Sequence, residues 1–360
     1  MSRALTLPSI REEAWRWSHL DALRALAEAP HGAAPAAEAH FIGLGGPRLV
    51  FVDGVLDAGA STPGDIAIEP LNLATDHPLG RQATGPGWSL TLDAGHATDP
   101  IEIVQIATGG ANHLPARIAL GADSAASIVE TYVGEGWSNR LARIELDRSA
   151  RLMRSVRMLQ GSGFVSLRDE AELGEGASLV SIFLGAGGMD CRIDGALTLT
   201  GEAAYAEMGG ALLTQGEQRQ ECAVSLRHVG LDGQSRQVWR AVAKDRSTAS
   251  LAARVEVARG AQKTDGEQSL RGLLLDRTAT VNLKPELEIF ADDVKCAHGA
   301  TVGELDRRAL FYLASRGITP ARASALLTRA FVADALDRIG NEAVRDAFTA
   351  DADRWLEAAL

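Results

Sequence analysis

Rings are scarce in this chain of 360 residues: Phe, Trp and Tyr together make up 5%. Apolar residues still reach 46%, and glycines number 37. A core can form, but from small and β-branched side chains rather than around aromatic clusters. Cysteine is scarcer, with three residues far apart: Cys191, Cys222 and Cys296. An odd, dispersed set implies no disulfide framework and fits a reducing compartment. Positive charge is outnumbered, 36 Lys and Arg against 47 Asp and Glu, for a net charge of −11. The basic residues are scattered singly among acids, which argues against nucleic acid or an anionic membrane as partner. Long apolar runs are missing too. The longest, "ASLVSIFLGAGG", is too short to span a bilayer. The opening "MSRALTLPSIREEAWRWS" has neither an apolar h-region nor a cleavage signature. A cytoplasmic location is the expectation.

Several chemistries lack their signatures. "GLGGPRLV" and "GAGGMDC" are Gly-rich, but neither ends in the Lys-Ser/Thr of a phosphate-binding loop. No GxSxG elbow, HExxH pair or CxxC occurs. Cys191 and Cys222 lie in strand-like runs and read as small core hydrophobes. His113 and His228 are single histidines, read as surface or hydrogen-bonded residues.

What is present falls into three regions. Residues 1–85 are helical and mixed. "SHLDALRALAEA" (18–29) has Leu20, Leu23 and Ala27 at helical spacing, with Ser18 as N-cap and Pro30 as stop. Val50–Val52 and Val55–Leu56 flank Asp53-Gly54, a hairpin signal. Residues 61–80 read as Pro- and Gly-rich connection.

Residues 86–300 are a long series of short alternating runs, such as "IEIVQIAT", "LARIELD", "ALTLTGE" and "RVEVARG". Nearly all end in Gly or Asp, and no helix separates them. "LDRSA" (146–150) returns as "KDRST" (244–248) and "LDRTA" (275–279). Adjacent copies, looser forms included, often lie roughly 24 to 31 residues apart, the span of one structural repeat. The pattern predicts a β-solenoid, in which each coil buries a face it could not bury alone. A β-sandwich is the alternative.

Residues 301–360 are helical. Thr301 with Glu304 reads as a capping box. Leu305, Ala309, Tyr312 and Leu313 form a stripe, and Gly317 sits as a C′ glycine. Thr319 and Pro320 restart a helix whose Leu327, Phe331 and Ala335 share a face. After Gly340-Asn341, a last helix turns Val344, Phe348 and Trp355 inward.

The densest chemistry is "ADDVKCAHGAT" (291–301), with Asp292, Asp293, Lys295, Cys296 and His298. Cys296 and His298 are two apart and share a face if extended. Thiolate and imidazole suit zinc or iron in a cluster, and Lys295 would favour the thiolate. Two ligands close no site, so further donors would come from elsewhere, or the stretch is a structural turn.

"KPELEIFADDVKCAHGATVGELDRRALFYLASRGI" (284–318) resembles the C-terminal signature of the SufB/SufD family, scaffold subunits of the SUF iron–sulfur cluster assembly machine. "REEAWRWSHLDAL" (11–23) is similar to the family's N-terminal motif, and "KTDGEQSLRGLLL" (263–275) to the segment before the last coils. "KCAHGAT" has the form of the family's D subunit. The resemblance implies a right-handed parallel β-helix between helical regions and a non-enzymatic scaffold role. It implies pairing with SufB through the β-helix and docking of the SufC ATPase on the C-terminal helices. Carried onto this sequence, it makes His298 and Cys296 metal-ligand candidates at the SufB interface. Phe311, Tyr312, Arg316, Leu327 and Phe331 are then docking candidates for SufC. No cofactor is implied for the isolated chain; a nascent Fe–S cluster belongs to the complex with SufB, and no motif for flavin or persulfide transfer is present. Two rival readings are a structural solenoid that works as a homodimer and a β-helix carbohydrate-active enzyme.

Overall fold

The computed structural model describes residues 7–18 and 20–359. Residues 1–6, His19 and Leu360, which fall in stretches read above, lie outside the described residues.

The N-terminal region forms short elements. Helix α1 (Ala22–Ala27) is preceded by Asp21 as N-cap. Ser18 was the expected cap; its hydroxyl instead accepts a hydrogen bond from Arg192 at 2.6 Å. Strands β1 (Arg48–Val52) and β2 (Val55–Leu56) make the expected hairpin. Asp53 and Gly54 both have positive φ, 51° and 78°, as a mirror-image two-residue turn requires. The connection at 61–80 contains an unexpected strand, β3 (Ala67–Leu71), antiparallel to β4 (Gly85–Leu92). Its exposure and Pro70 hid the alternation that marks a half-buried strand.

Alternation then builds the solenoid. Strands β5 (Ile101–Ala107) and β6 (Ala111–Leu120) form the first full coil. The 22-residue β7 (Ala125–Leu146) supplies the second by crossing from one sheet to the other. It does so through Gly134, φ 88°, where a Cβ would come 2.0 Å from the Ala107 carbonyl oxygen. Coils three to seven pair β8 (Arg151–Met158) with β9 (Ser162–Leu173), β10 (Ser178–Gly185) with β11 (Asp190–Leu199), β12 (Tyr205–Thr214) with β13 (Arg219–His228), β14 (Gln234–Ala243) with β15 (Thr248–Val257), and β16 (Asp265–Leu274) with β17 (Thr280–Ile289). Strand β18 (Lys295–Glu304) adds half a coil.

Sheet one stacks β5, the first half of β7, β8, β10, β12, β14, β16 and β18, all parallel. Sheet two stacks β4, β6, the second half of β7, β9, β11, β13, β15 and β17, also parallel. The chain is therefore a parallel β-solenoid. Ser178 opposes Tyr205, 27 positions later, and Gln234 opposes Asp265, 31 later, in line with the sequence echo. The echoed motifs do not occupy one equivalent corner. Asp147–Ser149 turns the chain into sheet one, whereas Asp245–Ser247 turns it into sheet two.

The six successive corners that lead into β7, β8, β10, β12, β14 and β16 each have a residue in the left-handed region: Asp123, Ser149, Gly176, Ala203, Asp232 and Lys263. The N–H of each donates to a carbonyl one coil on, at Arg148, Glu175, Glu202, Leu231, Gln262 and Asp293 in turn. This ladder satisfies corner backbone groups that would otherwise be orphaned. Between the sheets lies one long core of Leu, Ile, Val and Ala, with few rings. Cys191 and Cys222 belong to it, and burial pushes both thiols up. His113 is half-buried and His228 buried, bonded to Asn139 and Ser235 respectively, and burial lowers each to about 4.

Helices α2 (Arg307–Ser315), α3 (Pro320–Leu336) and α4 (Glu342–Ala359) follow. The expected capping box is absent: Thr301 and Glu304 belong to β18, and Asp306 caps α2. Gly317, φ 80°, ends α2, and Thr319 and Pro320 start α3. Val344, Phe348 and Trp355 of α4 are buried against the outer face of sheet one, beside Ile182, Leu213 and Val242. Arg338, just beyond the end of α3, holds buried Glu207 through two hydrogen bonds, 2.7 and 2.8 Å.

Candidate functional site at the open end of the solenoid

The two ends of the solenoid differ. At the N-terminal end β1 covers β5, and antiparallel β2 covers β1. Sheet two ends there in β3, an exposed edge strand carrying Pro70, a residue that discourages further pairing. At the other end, β17 bonds only to β15 and β18 only to β16. Each presents a ten-residue edge. Every residue of β18 except Cys296 is exposed, and no proline interrupts it. Such an edge pairs with another chain unless it is blunted.

Register fixes which side chains face the mouth. Leu270 of β16 is buried in the core and opposes Ala300 of β18. Cys296 and His298 have the same parity as Ala300, so both take inward-facing positions on the last half coil. Cys296 packs against the core, and burial, with Asp265 adding to it, pushes its thiol up. Lys295 was expected to favour the thiolate. It has the opposite parity, and burial decides instead. Asp293 is spent in the corner, where its carbonyl accepts from Lys263 and its N–H donates to Gln262.

Thiol and imidazole thus line the inner rim of an unfinished coil. Among the described residues no group of three or more His, Cys, Asp or Glu is placed to hold a metal ion. An ion at this rim would need donors from outside the chain.

The docking candidates divide. Helix α2 buries no residue. Phe311 is 76% exposed and Tyr312 58% exposed, so Tyr312 is not part of an inward stripe. Arg316 lies over the Tyr312 ring at 5.3 Å. Leu327 is half-buried, and Phe331 packs against sheet one and the helical cluster, with Arg240 above its ring. The buried face of α3 is Ala323, Thr328, Val332, Ala335 and Leu336, so of the predicted face only Ala335 is fully inside.

Two charged clusters escaped the sequence reading. Inside the solenoid, Glu130, Arg140, Arg154 and Asp169 form a closed ring of ion pairs. Tyr132 donates to Glu130 at 2.8 Å. The available signal was charge at inward parity within apolar strands. On the outside of sheet two, Arg192 binds Asp194 through two 2.7 Å hydrogen bonds and reaches Ser18 and the Ala14 carbonyl. It also lies 3.7 Å over Trp15. This clamp pins the N-terminal segment to the solenoid, and no local pattern announces a contact 174 residues apart.

Residues 105–331 match the family model described as SUF system FeS cluster assembly, SufBD core domain. This is more than half of the chain. The chain belongs to the SufBD family. It is 41% identical over 111 residues to the iron-sulfur cluster assembly protein SufD of Escherichia coli, covering 31% of this chain and 26% of the relative. It is 42% identical over 115 residues to protein ABCI7, chloroplastic, of Arabidopsis thaliana, covering 32% and 24%. With SufD of Bacillus subtilis the identity is 30% over 147 residues, 41% of this chain and 34% of that one. The chain thus matches about a quarter to a third of the length of these relatives. Among the described residues no helix is long and apolar enough to cross a membrane.

Proposed function

We propose that this SufBD-family chain is a non-enzymatic, D-type scaffold subunit that completes its last coil, and a metal-binding rim, with a second β-solenoid subunit of the SufB type. The observation that carries this reading is the open half coil with Cys296 and His298 on its inner rim. A partner strand added to the edge of β17 or β18 would satisfy the orphaned backbone groups. The same approach would bring outside donors to a rim that has only two of its own. The nascent iron–sulfur cluster is cargo, assembled there and passed on. SufC, the ATPase of the same machine, docks on exposed α2 and the adjoining face of α3. The cytosol is the compartment in which three unpaired thiols persist. The SufBD family match supports the scaffold reading over the carbohydrate-active one, and the homodimer is an outcome of the test.

The test is co-expression with SufB and SufC followed by native mass measurement. A complex containing all three chains is the expected result. His298→Ala should leave that mass unchanged while cluster assembly in cells is lost. A chain that purifies only as a dimer of itself, with SufB and SufC present, would overturn the scaffold reading.

A further inference from the structure

Register places a chain of side chains behind His298. On the inner face of sheet one, Gln237 of β14 stands beside Gln268 of β16, which stands beside His298 of β18. The two glutamines are 0% and 1% exposed. Each donates its amide N–H across the interior to a carbonyl of sheet two in its own coil. Gln237 Nε2 reaches Arg254 O at 3.1 Å, and Gln268 Nε2 reaches Glu286 O at 3.4 Å. The Oε1 of each is buried without a partner. A buried, unpaired carbonyl oxygen is destabilising, and each one in a native structure calls for an explanation.

For Gln268 the neighbour that can use it is His298. Adjacent strands lie about 4.8 Å apart, and in-register inward side chains stand side by side. The Oε1 of a glutamine and the Nδ1 of a histidine then lie at similar reach from the backbone. Among the described residues nothing bonds the imidazole of His298. A metal-binding histidine usually donates its second ring N–H to an acceptor that fixes tautomer and ring orientation.

We propose that Gln268 is the positioning residue for His298, its Oε1 accepting from Nδ1–H, so that Nε2 is left unprotonated at the mouth of the solenoid. This rests on the reading of His298 as a ligand for its function, but not for its geometry. Gln268 touches no metal; it acts through the imidazole. The Nδ1–H form is the less populated one for imidazole free in water, so the contact has a spectroscopic signature.

The experiment uses the full chain, metal-free, with ¹⁵N-labelled histidine at a pH where the imidazoles are neutral. His298 is assigned by the loss of its signal in His298→Ala. The Nδ1–H form should dominate in the wild type and in Gln268→Glu, which retains an acceptor. Gln268→Leu, which keeps bulk and removes the acceptor, should return His298 to the Nε2–H form. Zn²⁺ titration of the same proteins gives a second readout. Gln268→Leu should weaken binding by about 10- to 100-fold, and Gln268→Glu should restore it. An Nε2–H form in the wild type, or the same tautomer in Gln268→Leu, overturns the proposal. Equal Zn²⁺ binding by wild type and His298→Ala sinks instead the reading of His298 as a ligand, and the tautomer result still decides the role of Gln268.

Discussion

Arg154 Nη1 donates to Asp169 Oδ2 at 2.7 Å across the interior of the solenoid, from sheet one to sheet two. Arg140 donates to the other oxygen of the same carboxylate, also at 2.7 Å. Both arginines then meet Glu130, so two cations and two anions close a neutral ring almost wholly shielded from solvent. Such a ring is a weak source of net stability, because desolvation offsets the attraction, but breaking it leaves an unpaired buried charge. Asp169→Ala should therefore destabilise the chain by about 3–5 kcal/mol, read as a lower denaturant midpoint. Replacing Glu130, Arg140, Arg154 and Asp169 together by apolar residues of similar volume should recover most of that loss. If Asp169→Ala unfolds like the wild type, the ring is not formed in solution.

The same ring has a pH signature. Burial pushes the Asp169 and Glu130 carboxyls up, and the two guanidiniums more than reverse it, so both end below their usual range. A carboxyl held lower in the folded state than in the unfolded chain contributes stability above its unfolded pKa, about 4. That stability is lost as pH falls towards the folded value. Midpoints measured from pH 6 down to pH 3 should fall more steeply for the wild type than for the apolar quadruple variant. Parallel profiles would contradict the shifts.

Thiol chemistry reports on the open end. Cys191 and Cys222 are buried in the core, while Cys296 is half-exposed at the rim. A disulfide reagent should modify one thiol in the native chain and three after denaturation. Burial has pushed the Cys296 thiol up, so its rate at neutral pH should be below that of a free thiol and should keep rising through the alkaline range. Addition of SufB should suppress the reaction. Unchanged reactivity in the presence of bound SufB would place the interface elsewhere.

Much of this architecture was legible in the sequence, and the losses have physical causes. The solenoid was readable because inward and outward residues alternate along nearly every strand, and because most corners carry Gly, Asp or Ser. Strand β3 was missed because an exposed edge strand has no buried face to pattern. The capping box at Thr301 failed because β18 gains four further ladder positions against β16, from Thr301 to Glu304, by continuing as a strand, more than one cap supplies. The shared face of Cys296 and His298 was legible in their spacing. The place of Gln268 beside His298 was not, since a glutamine thirty positions away becomes a neighbour only when the coil length fixes the register. The same holds for Arg192 and Trp15.

The Arg192 clamp predicts local rather than global loss. Its guanidinium serves Asp194, Ser18 and Ala14 at once and lies over Trp15, and His77 Nε2 lies 3.1 Å from the same Asp194. Arg192→Ala should raise hydrogen exchange across 13–23 and expose the bond after Arg16 to trypsin, with the solenoid amides unchanged. Arg192→Lys should not rescue it, because an ammonium cannot make the paired contact. If exchange across 13–23 stays as slow as in the wild type, other contacts hold the segment.

The exposed and packed halves of the helical region should separate binding from stability. Phe311 and Arg316 sit on a helix that buries nothing, so truncating either should leave the melting temperature nearly unchanged. Phe331 packs on the solenoid beneath Arg240, so Phe331→Ala should lower it. For SufC the order reverses. An aromatic beside an arginine is a common interface anchor, and losing one typically costs about 2 kcal/mol, roughly thirtyfold in affinity. Phe311→Ala and Arg316→Ala should each weaken SufC binding by that order in a calorimetric titration. Phe331→Ala should weaken it less than it lowers stability. Wild-type affinity in both α2 variants would show that SufC docks away from this helix.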